Sequence, residues 1–195
     1  MMFTTLQRSL FLAVFVVVAG VSALRAEAGT YPVDAVHSSV VFRIKYSNIA
    51  YFYGRFNEFS GTVTFDPAAP AESRIEFVVR TESVDTNNER RDLHLKGPDF
   101  FNSRQYPEMR FVSDSFTHIV DEQYEVKGQL TILDVTREVS FVAEFTGHGQ
   151  DLRGATRVGA EAIVTIKRSD FGMTYMLDGL SDEVRLILAI QGKLE

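Results

Sequence analysis

Histidine is the residue type in this chain best suited to proton transfer or metal binding, and it occurs at positions His37, His94, His118 and His148. Zinc sites use histidines at short fixed spacings such as HxH or HExxH, often together with cysteine. None of these spacings occurs, and the sequence contains no cysteine. We therefore predict no metal site and no resident cofactor, and favour structural or surface roles for the histidines.

His37 is the histidine with the most informative context, because it stands in the polar segment 34–39 just before the first predicted strand. Such a residue could hydrogen-bond a ligand head group or fix the first turn, and the sequence leaves both open. Ser38 and Ser39 do not complete a catalytic dyad, since neighbours on a strand face opposite ways. No nucleophile elbow, phosphate-binding loop or dinucleotide fingerprint occurs, so a non-enzymatic protein is favoured.

Two further polar segments are candidates for ligand contacts. Arg90 to Asp92 belong to a predicted helix that is either a surface helix with an apolar underside or a lid over a barrel mouth. The segment 167–173 (KRSDFGM) mixes charge and apolar groups at a strand end, which suits either a ligand site or a loop locked by a buried Arg–Asp pair. The polar residues predicted at the cavity mouth are His37, Asp92, Arg168 and Asp170.

Alternation of apolar and polar residues predicts the elements that must position these side chains. A helix is predicted over 87–95, ended by Gly97-Pro98, and a second short helix over 100–106, stopped by Pro107. The predicted strands are 40–46, 59–65, 75–79, 109–114, 124–132, 139–145, 158–166 and 184–190.

Eight strands with mostly short connections predict an all-β fold, an eight-stranded antiparallel up-and-down barrel with one or two short helices. A two-sheet sandwich is the competing architecture. The chain has 16 phenylalanines and no tryptophan, which indicates either a thickly packed aromatic core or an apolar cavity. The apolar wall of such a cavity is predicted from the alternation to include Phe42, Phe56, Phe59, Phe65, Phe77 and Phe111.

The N-terminal segment indicates export. Arg8 precedes an apolar run over 10–21, and Ala26-Glu27-Ala28 supplies a small-residue cleavage site. We predict a cleaved signal peptide over 1–28, a single domain over 29–195 and a periplasmic or secreted protein with no stable membrane anchor after cleavage. An uncleaved anchor is the alternative. The net charge of −6 argues against a nucleic-acid partner and against electrostatic docking on anionic lipid.

Six segments together resemble the YceI-like, polyisoprenoid-binding family of secreted bacterial proteins. The resemblance covers the chain from about Tyr31 to Gly192 and implies a lipocalin-like, extended antiparallel barrel. It further implies a long apolar tunnel for an isoprenoid or other long-chain amphiphile, a periplasmic or secreted location, and often a dimer. The matching segments are 31–42, 54–67, 83–95, 99–107, 128–139 and 167–173.

Two departures from the family pattern bear on the ligand. Leu133-Asp134 stand where the family usually has His or Asn with Gly, so that turn differs. The segment 47–53 (SNIAYFY) is more aromatic than usual, and inward-pointing rings would narrow the tunnel.

The residues predict an exported, non-catalytic protein with an apolar pocket, for transport, storage or stress response. The resemblance implies that the ligand is an isoprenoid, such as an isoprenoid quinone precursor, or a similar long-chain amphiphile such as a fatty amide. A homodimer is possible. Two alternatives stay open: an enzyme acting on a lipid-like substrate with His37 as its base, and a stress or interaction module whose barrel is filled by its own side chains.

Overall fold

The computed structural model describes residues 28–195, so the predicted signal peptide lies, apart from Ala28, outside the described residues. This part of the chain forms one α-helix, α1 (Glu89–Leu95), and eleven β-strands. No helix within it is long and apolar enough to cross a bilayer. The strands are β1 (Gly29–Pro32), β2 (Ser39–Tyr46), β3 (Ala50–Phe56), β4 (Phe59–Phe65), β5 (Arg74–Arg80), β6 (Val84–Asp85), β7 (Glu108–Val120), β8 (Gln123–Ile132), β9 (Val135–Gln150), β10 (Thr156–Lys167) and β11 (Leu180–Lys193).

All eleven strands belong to one antiparallel sheet in the order β1-β4-β5-β7-β8-β9-β10-β11-β2-β3-β6. The strands from β7 to β11 follow one another as successive hairpins, and β2 then pairs with β11. The sheet is so strongly curled that Val33, just after β1, forms a bridge with Gly192 of β11. The all-β antiparallel prediction is confirmed, and the sheet is a strongly curled, eleven-stranded half-barrel. The predicted number of eight strands is wrong.

The eight predicted strands all form, and three further strands explain the difference in number. β1 contains a proline and β6 has only two residues, so neither shows a period of two. β3 carries Tyr51, Phe52 and Tyr53 in succession, and rings on both faces conceal the alternation. Each of these strands lies at or next to an edge of the sheet, where it gains regular pairing from its neighbour.

The helix predictions have different outcomes. α1 begins after Asn88, whose side-chain Oδ1 accepts a hydrogen bond from the backbone N–H of Arg91 at 3.0 Å. The predicted second helix over 100–106 is wrong, because that segment forms turns. The carbonyl of Gly97 accepts from the N–H groups of both Phe100 and Asn102, and Asn102 adopts a left-handed backbone with φ of 44°.

Two clusters of buried side chains fill the ends of the curled sheet. The first, the helix-side cluster, lies near α1 and the segment 168–173. The second, the β1-side cluster, is centred on Phe65, whose ring stacks on Phe145 at 4.1 Å and meets Tyr124 edge-on at 5.4 Å. The helix-side cluster contains Val40, Phe42, Ile44, Phe56, Val79, Val84, Phe100, Met109, Leu130, Ile132, Val164, Ile166, Phe171 and Met173. The β1-side cluster contains Tyr31, Phe65, Phe116, Tyr124, Val126, Ala143, Phe145 and Val158.

A cluster of charged side chains ties the β1 end of the sheet together. Arg157 on β10 donates from Nη1 to Asp34 Oδ2 at 2.5 Å and from Nε to Asp151 Oδ2 at 2.6 Å. His37 Nδ1 lies 2.8 Å from the same oxygen of Asp34. Hydrogen bonds from His37 and Arg157 lower the pKa of Asp34 from 3.8 to about 2. Hydrogen bonds from Arg157 and the backbone of its own turn lower the pKa of Asp151 to about 2.

This cluster predicts a specific loss of stability in acid. A carboxyl group whose pKa is depressed by folding stabilises the protein above its ordinary pKa, and that stability disappears as the pH falls through the folded value. We expect the free energy of unfolding, measured by urea denaturation, to fall between about pH 4 and pH 2. The Arg157→Gln variant should be less stable than the wild type at pH 6, and its free energy of unfolding should fall less between about pH 4 and pH 2. Arg153→Gln, an exposed arginine in the neighbouring turn, should match the wild type, and an unchanged slope in Arg157→Gln would contradict the assignment.

Candidate functional site

A cavity of about 220 Å³ lies inside the curled sheet between the two clusters. Its lining is almost entirely apolar and runs from Phe171 and Met173 at the helix side to Phe145 and Val158 at the β1 side. Along β11 the lining extends from Val184 to Gly192. At ~3.3 Å per residue this distance is about 26 Å. The cavity is therefore long and narrow, a shape that fits an extended apolar chain.

The alternation of each strand builds the cavity wall. On β2, Val40, Phe42 and Ile44 face inward and are buried, while the residues between them face outward. The inward side of β10 carries the small residues Ala160 and Ala162, which leave space that larger side chains would fill. The other walls are formed by Leu186, Leu188 and Ile190 of β11, Phe77 of β5, Phe111 of β7, and Val139 and Phe141 of β9.

A glycine on β3 allows one of these rings to reach its position. A Cβ atom at Gly54 would lie 2.2 Å from the Cζ atom of Phe42, far inside van der Waals contact. Gly54 and Phe42 are also paired across the β2–β3 ladder. The absence of a side chain at Gly54 therefore lets the Phe42 ring lie across β3 and close this side of the wall.

Helix α1 covers the helix-side end of the cavity and is held by polar contacts to Thr86. Asp92 Oδ1 accepts hydrogen bonds from the backbone N–H of Thr86 at 2.9 Å and from its hydroxyl at 2.5 Å. Arg91 donates from Nη2 to the Thr86 carbonyl at 2.7 Å, and its guanidinium lies 4.8 Å from the ring centre of Phe52. These bonds fix the helix so that Leu95 contributes to the lining.

Arg168 holds the other segment that covers this end. It is 3% exposed, and it donates to the carbonyl oxygens of Met173, Tyr175, Leu180 and Ser181 at 2.8–3.0 Å. Burial lowers the pKa of Arg168, while the charge of Asp182 opposes this shift. Because its donors are occupied by backbone oxygens, Arg168 fastens the segment 171–181 against the sheet.

The polar residues predicted at the mouth do not form one site. Arg168 lines the cavity and Asp92 fastens α1, but His37 and Asp170 lie outside the lining. His37 is 58% exposed and lies beside Asp34 at the β1 end. The hydroxyl of Ser38 donates to the Asp34 carbonyl at 2.8 Å and is thus engaged with the backbone. Asp170 is exposed, so the Arg–Asp lock considered from the sequence is replaced by the carbonyl contacts of Arg168.

Comparison with known proteins identifies the family. The YceI-like domain matches residues 31–192. The chain belongs to the YceI-like domain family. Proteins of Yersinia pestis and Yersinia enterocolitica, both named UPF0312 protein, are each 40% identical to it over 169 residues, covering 86% of this chain and 88% of the relative. The resemblance drawn from the sequence is confirmed.

Solved structures share the fold. Burkholderia cenocepacia BcnA superposes with a TM-score of 0.75 at 25% identity, covering 82% of this chain and 98% of BcnA. A Campylobacter jejuni YCEI protein superposes with a TM-score of 0.67 at 32% identity, covering 73% of this chain and 84% of the Campylobacter protein. A domain of Saccharophagus degradans described as polyisoprenoid binding superposes with a TM-score of 0.64 at 15% identity, covering 87% of this chain and all of that domain. At this identity the likeness concerns the fold alone.

The predicted apolar wall of this YceI-like protein divides into two groups. Phe42, Phe56, Phe77 and Phe111 line the cavity. Phe59 lies outside the lining and stacks on Phe77 with ring centres 5.8 Å apart. Phe65, also outside the lining, belongs to the β1-side cluster. Contact of any of these residues with a ligand stays a prediction.

Sequence reasoning missed several lining residues and left the aromatic segment 47–53 open. Leu186, Leu188 and Ile190 share one face of β11, and their alternation could have indicated them as a wall. Within the segment 47–53 only Phe52 lines the cavity, while Tyr51 and Tyr53 are exposed on the outer face. One ring of this segment therefore borders the cavity, and the other two do not.

Neither the histidines nor the Leu133-Asp134 turn forms a site in the part of the chain that the structure describes. Across residues 28–195, no three histidine, aspartate or glutamate side chains converge in a way that could hold a metal ion. The Leu133-Asp134 turn connects β8 to β9, and Leu133 takes a left-handed backbone with φ of 57° while packing against the helix-side cluster.

The contacts of Arg168 predict a large effect of its replacement. Arg168→Met removes every donor and leaves one buried and three partly buried carbonyl groups without this partner, which costs about 2–4 kcal/mol of the free energy of unfolding. Hydrogen exchange of the amides in 171–181 should also become faster than in the wild type. Lys167→Met, at the adjacent exposed position, should change neither quantity. Equal stability of the two variants in urea denaturation would exclude the fastening role.

Proposed function

We propose that this YceI-like protein is an exported binding protein that holds an isoprenoid or similar long-chain amphiphile in its cavity, for transport, storage or stress response. The observation that carries the proposal is the cavity itself, which is long, about 220 Å³ in volume and lined almost entirely by apolar side chains. An engineered apolar cavity of roughly 150 Å³ stays dry and takes up benzene. A larger cavity with an apolar wall has the same reason to take up a hydrocarbon chain.

The energetics favour an apolar tail over a polar ligand. Each CH₂ group transferred from water to the cavity contributes ~0.8 kcal/mol, so a chain of several units binds tightly without any charged contact. A polar group placed among these side chains would lose its hydration and gain no partner. The Saccharophagus degradans domain with the same fold is described as polyisoprenoid binding, which supports an isoprenoid as the ligand class.

A binding role agrees better with the geometry than catalysis does. His37, the base of the enzyme hypothesis, belongs to the charged cluster at the β1 end and does not line the cavity. The third hypothesis, a barrel filled by its own side chains, is disfavoured by the volume left between the two clusters. Export is proposed from the signal-like segment over 1–28, and a homodimer remains a prediction from the family resemblance.

Filling the cavity tests this proposal. We expect Ala162→Phe to weaken binding of radiolabelled geranylgeraniol about tenfold or more, because excluding two CH₂ groups loses about 1.6 kcal/mol. Equilibrium dialysis measures the affinity. Thr165→Phe places the same ring on the outer face of the same strand and should bind like the wild type. Equal affinity of the wild type and Ala162→Phe, or no binding by the wild type, would refute the proposal.

Replacing His37 separates the carrier from the enzyme. His37→Ala leaves the cavity lining intact, so its affinity for geranylgeraniol should stay within about twofold of the wild type, a change of about 0.4 kcal/mol. Mass spectrometry of geranylgeraniol incubated with the wild type should recover the compound unchanged. Conversion by the wild type that stops in His37→Ala would establish an enzyme instead.

A further inference from the structure

The exposed tips next to the helix-side end of the cavity are strongly apolar. The turn between β2 and β3 projects Ile49, which is 84% exposed, and the loop before β11 exposes Met176 and Leu177. The two turns touch, since the N–H of Ser47 donates to the carbonyl of Gly179 at 2.7 Å. Asp178 is the one charged residue in the segments 46–50 and 175–179. Adjacent exposed apolar side chains of this kind mark an interaction surface.

The outer face of the same hairpin is basic and aromatic. Arg43 pairs across the ladder with Tyr53 and Lys45 pairs with Tyr51. On its other side Arg43 pairs with Arg185 of β11. Two like charges directly opposite each other destabilise a sheet, so this pair is costly unless an anion lies over it.

The charges on this face lack carboxylate partners. Within residues 28–195, the ion pairs of lysine and arginine involve other residues than Arg43, Lys45 and Arg185. The Arg43 guanidinium stacks over the Tyr51 ring at 4.0 Å, and its buried Nε has no hydrogen-bond partner. The nearby carboxylates are paired across the ladder with other cations, Glu183 with Lys167 and Asp85 with Arg55. A local basic face therefore exists although the net charge is −6.

We propose that this surface, named here the hairpin-end surface, docks the protein reversibly on a bilayer that contains anionic phospholipid. Apolar tips enter the headgroup region, tyrosines suit its boundary, and cations meet lipid phosphates. Arg43 lies three ladder pairs behind the turn, about 10 Å from it, which matches the depth to which interfacial side chains enter. The surface comprises Arg43, Lys45, Tyr46, Ile49, Tyr51, Tyr53, Met176, Leu177 and Arg185.

The hairpin-end surface lies next to the helix-side end of the cavity, so docking would serve ligand transfer. This inference rests on the proposed function. Leu180 lines the cavity and pairs with Tyr46 at the tip of the hairpin. Phe52, between the two outward tyrosines, also lines the cavity. A docked protein would thus hold the helix-side end of its cavity against the bilayer, where an apolar ligand can pass without crossing water.

Sedimentation with phospholipid vesicles tests the docking. The purified protein should bind vesicles of phosphatidylcholine with phosphatidylglycerol more tightly than vesicles of phosphatidylcholine alone. Arg43→Gln and Arg185→Gln should each weaken that binding roughly fivefold, and Ile49→Asp should weaken it at least as much. Arg137→Gln and Ile119→Asp, matched exposed residues outside the hairpin-end surface, should bind like the wild type. Circular dichroism melting verifies that each variant is folded.

Other outcomes would overturn the proposal. No sedimentation of the wild type, equal binding to both vesicles, or equal binding by Ile49→Asp and Ile119→Asp would exclude anionic docking at this surface. A dimer that Ile49→Asp abolishes, together with no vesicle binding, would assign the surface to a second copy. The affinity of the wild type for geranylgeraniol is measured alongside. If the wild type binds geranylgeraniol but not vesicles, the docking alone is refuted. If it does not bind geranylgeraniol, the proposed function is refuted.

Discussion

The central physical constraint on this structure is an apolar interior that the side chains of the protein do not completely fill. On the scale of about 24 cal/mol for each Å³ of engineered cavity, a void of about 220 Å³ costs roughly 5 kcal/mol. That cost is comparable with the whole stability of a small domain, about 5–15 kcal/mol. An apolar guest restores the missing dispersion contacts and so converts a structural weakness into binding energy. The cavity therefore has a thermodynamic reason to be occupied.

Polar side chains hold the elements at both ends of this interior in place. Arg157 joins two carboxylates where β1 meets the rest of the sheet. Arg168 fastens the covering segment 171–181 through backbone oxygens, and Asp92 fastens α1 through Thr86. Because the polar atoms of these side chains are bonded to one another or to the backbone, nearly the whole wall can remain apolar. Charged side chains thus position the elements around the cavity. The apolar wall itself favours a guest through the hydrophobic effect.

The period-two pattern predicted the inner and outer faces of eight strands, but it could not predict which inward rings meet empty space. Phe77 and Phe65 both face inward, yet Phe77 borders the cavity while Phe65 is covered by Phe145. That difference arises from contacts between residues about 80 positions apart, which no local pattern encodes. His37 stands just before β2, as the pattern predicts, but whether its side chain reaches the cavity lining depends on the curl of the whole sheet.

The central claim is that the cavity holds a long-chain lipid in the natural protein. Native mass spectrometry of the protein purified from its own organism, followed by organic extraction, tests this claim most directly. The account predicts a bound mass that disappears on extraction and is recovered as a prenyl compound or another long-chain amphiphile. An unliganded mass for protein that was never exposed to detergent or solvent would contradict the account.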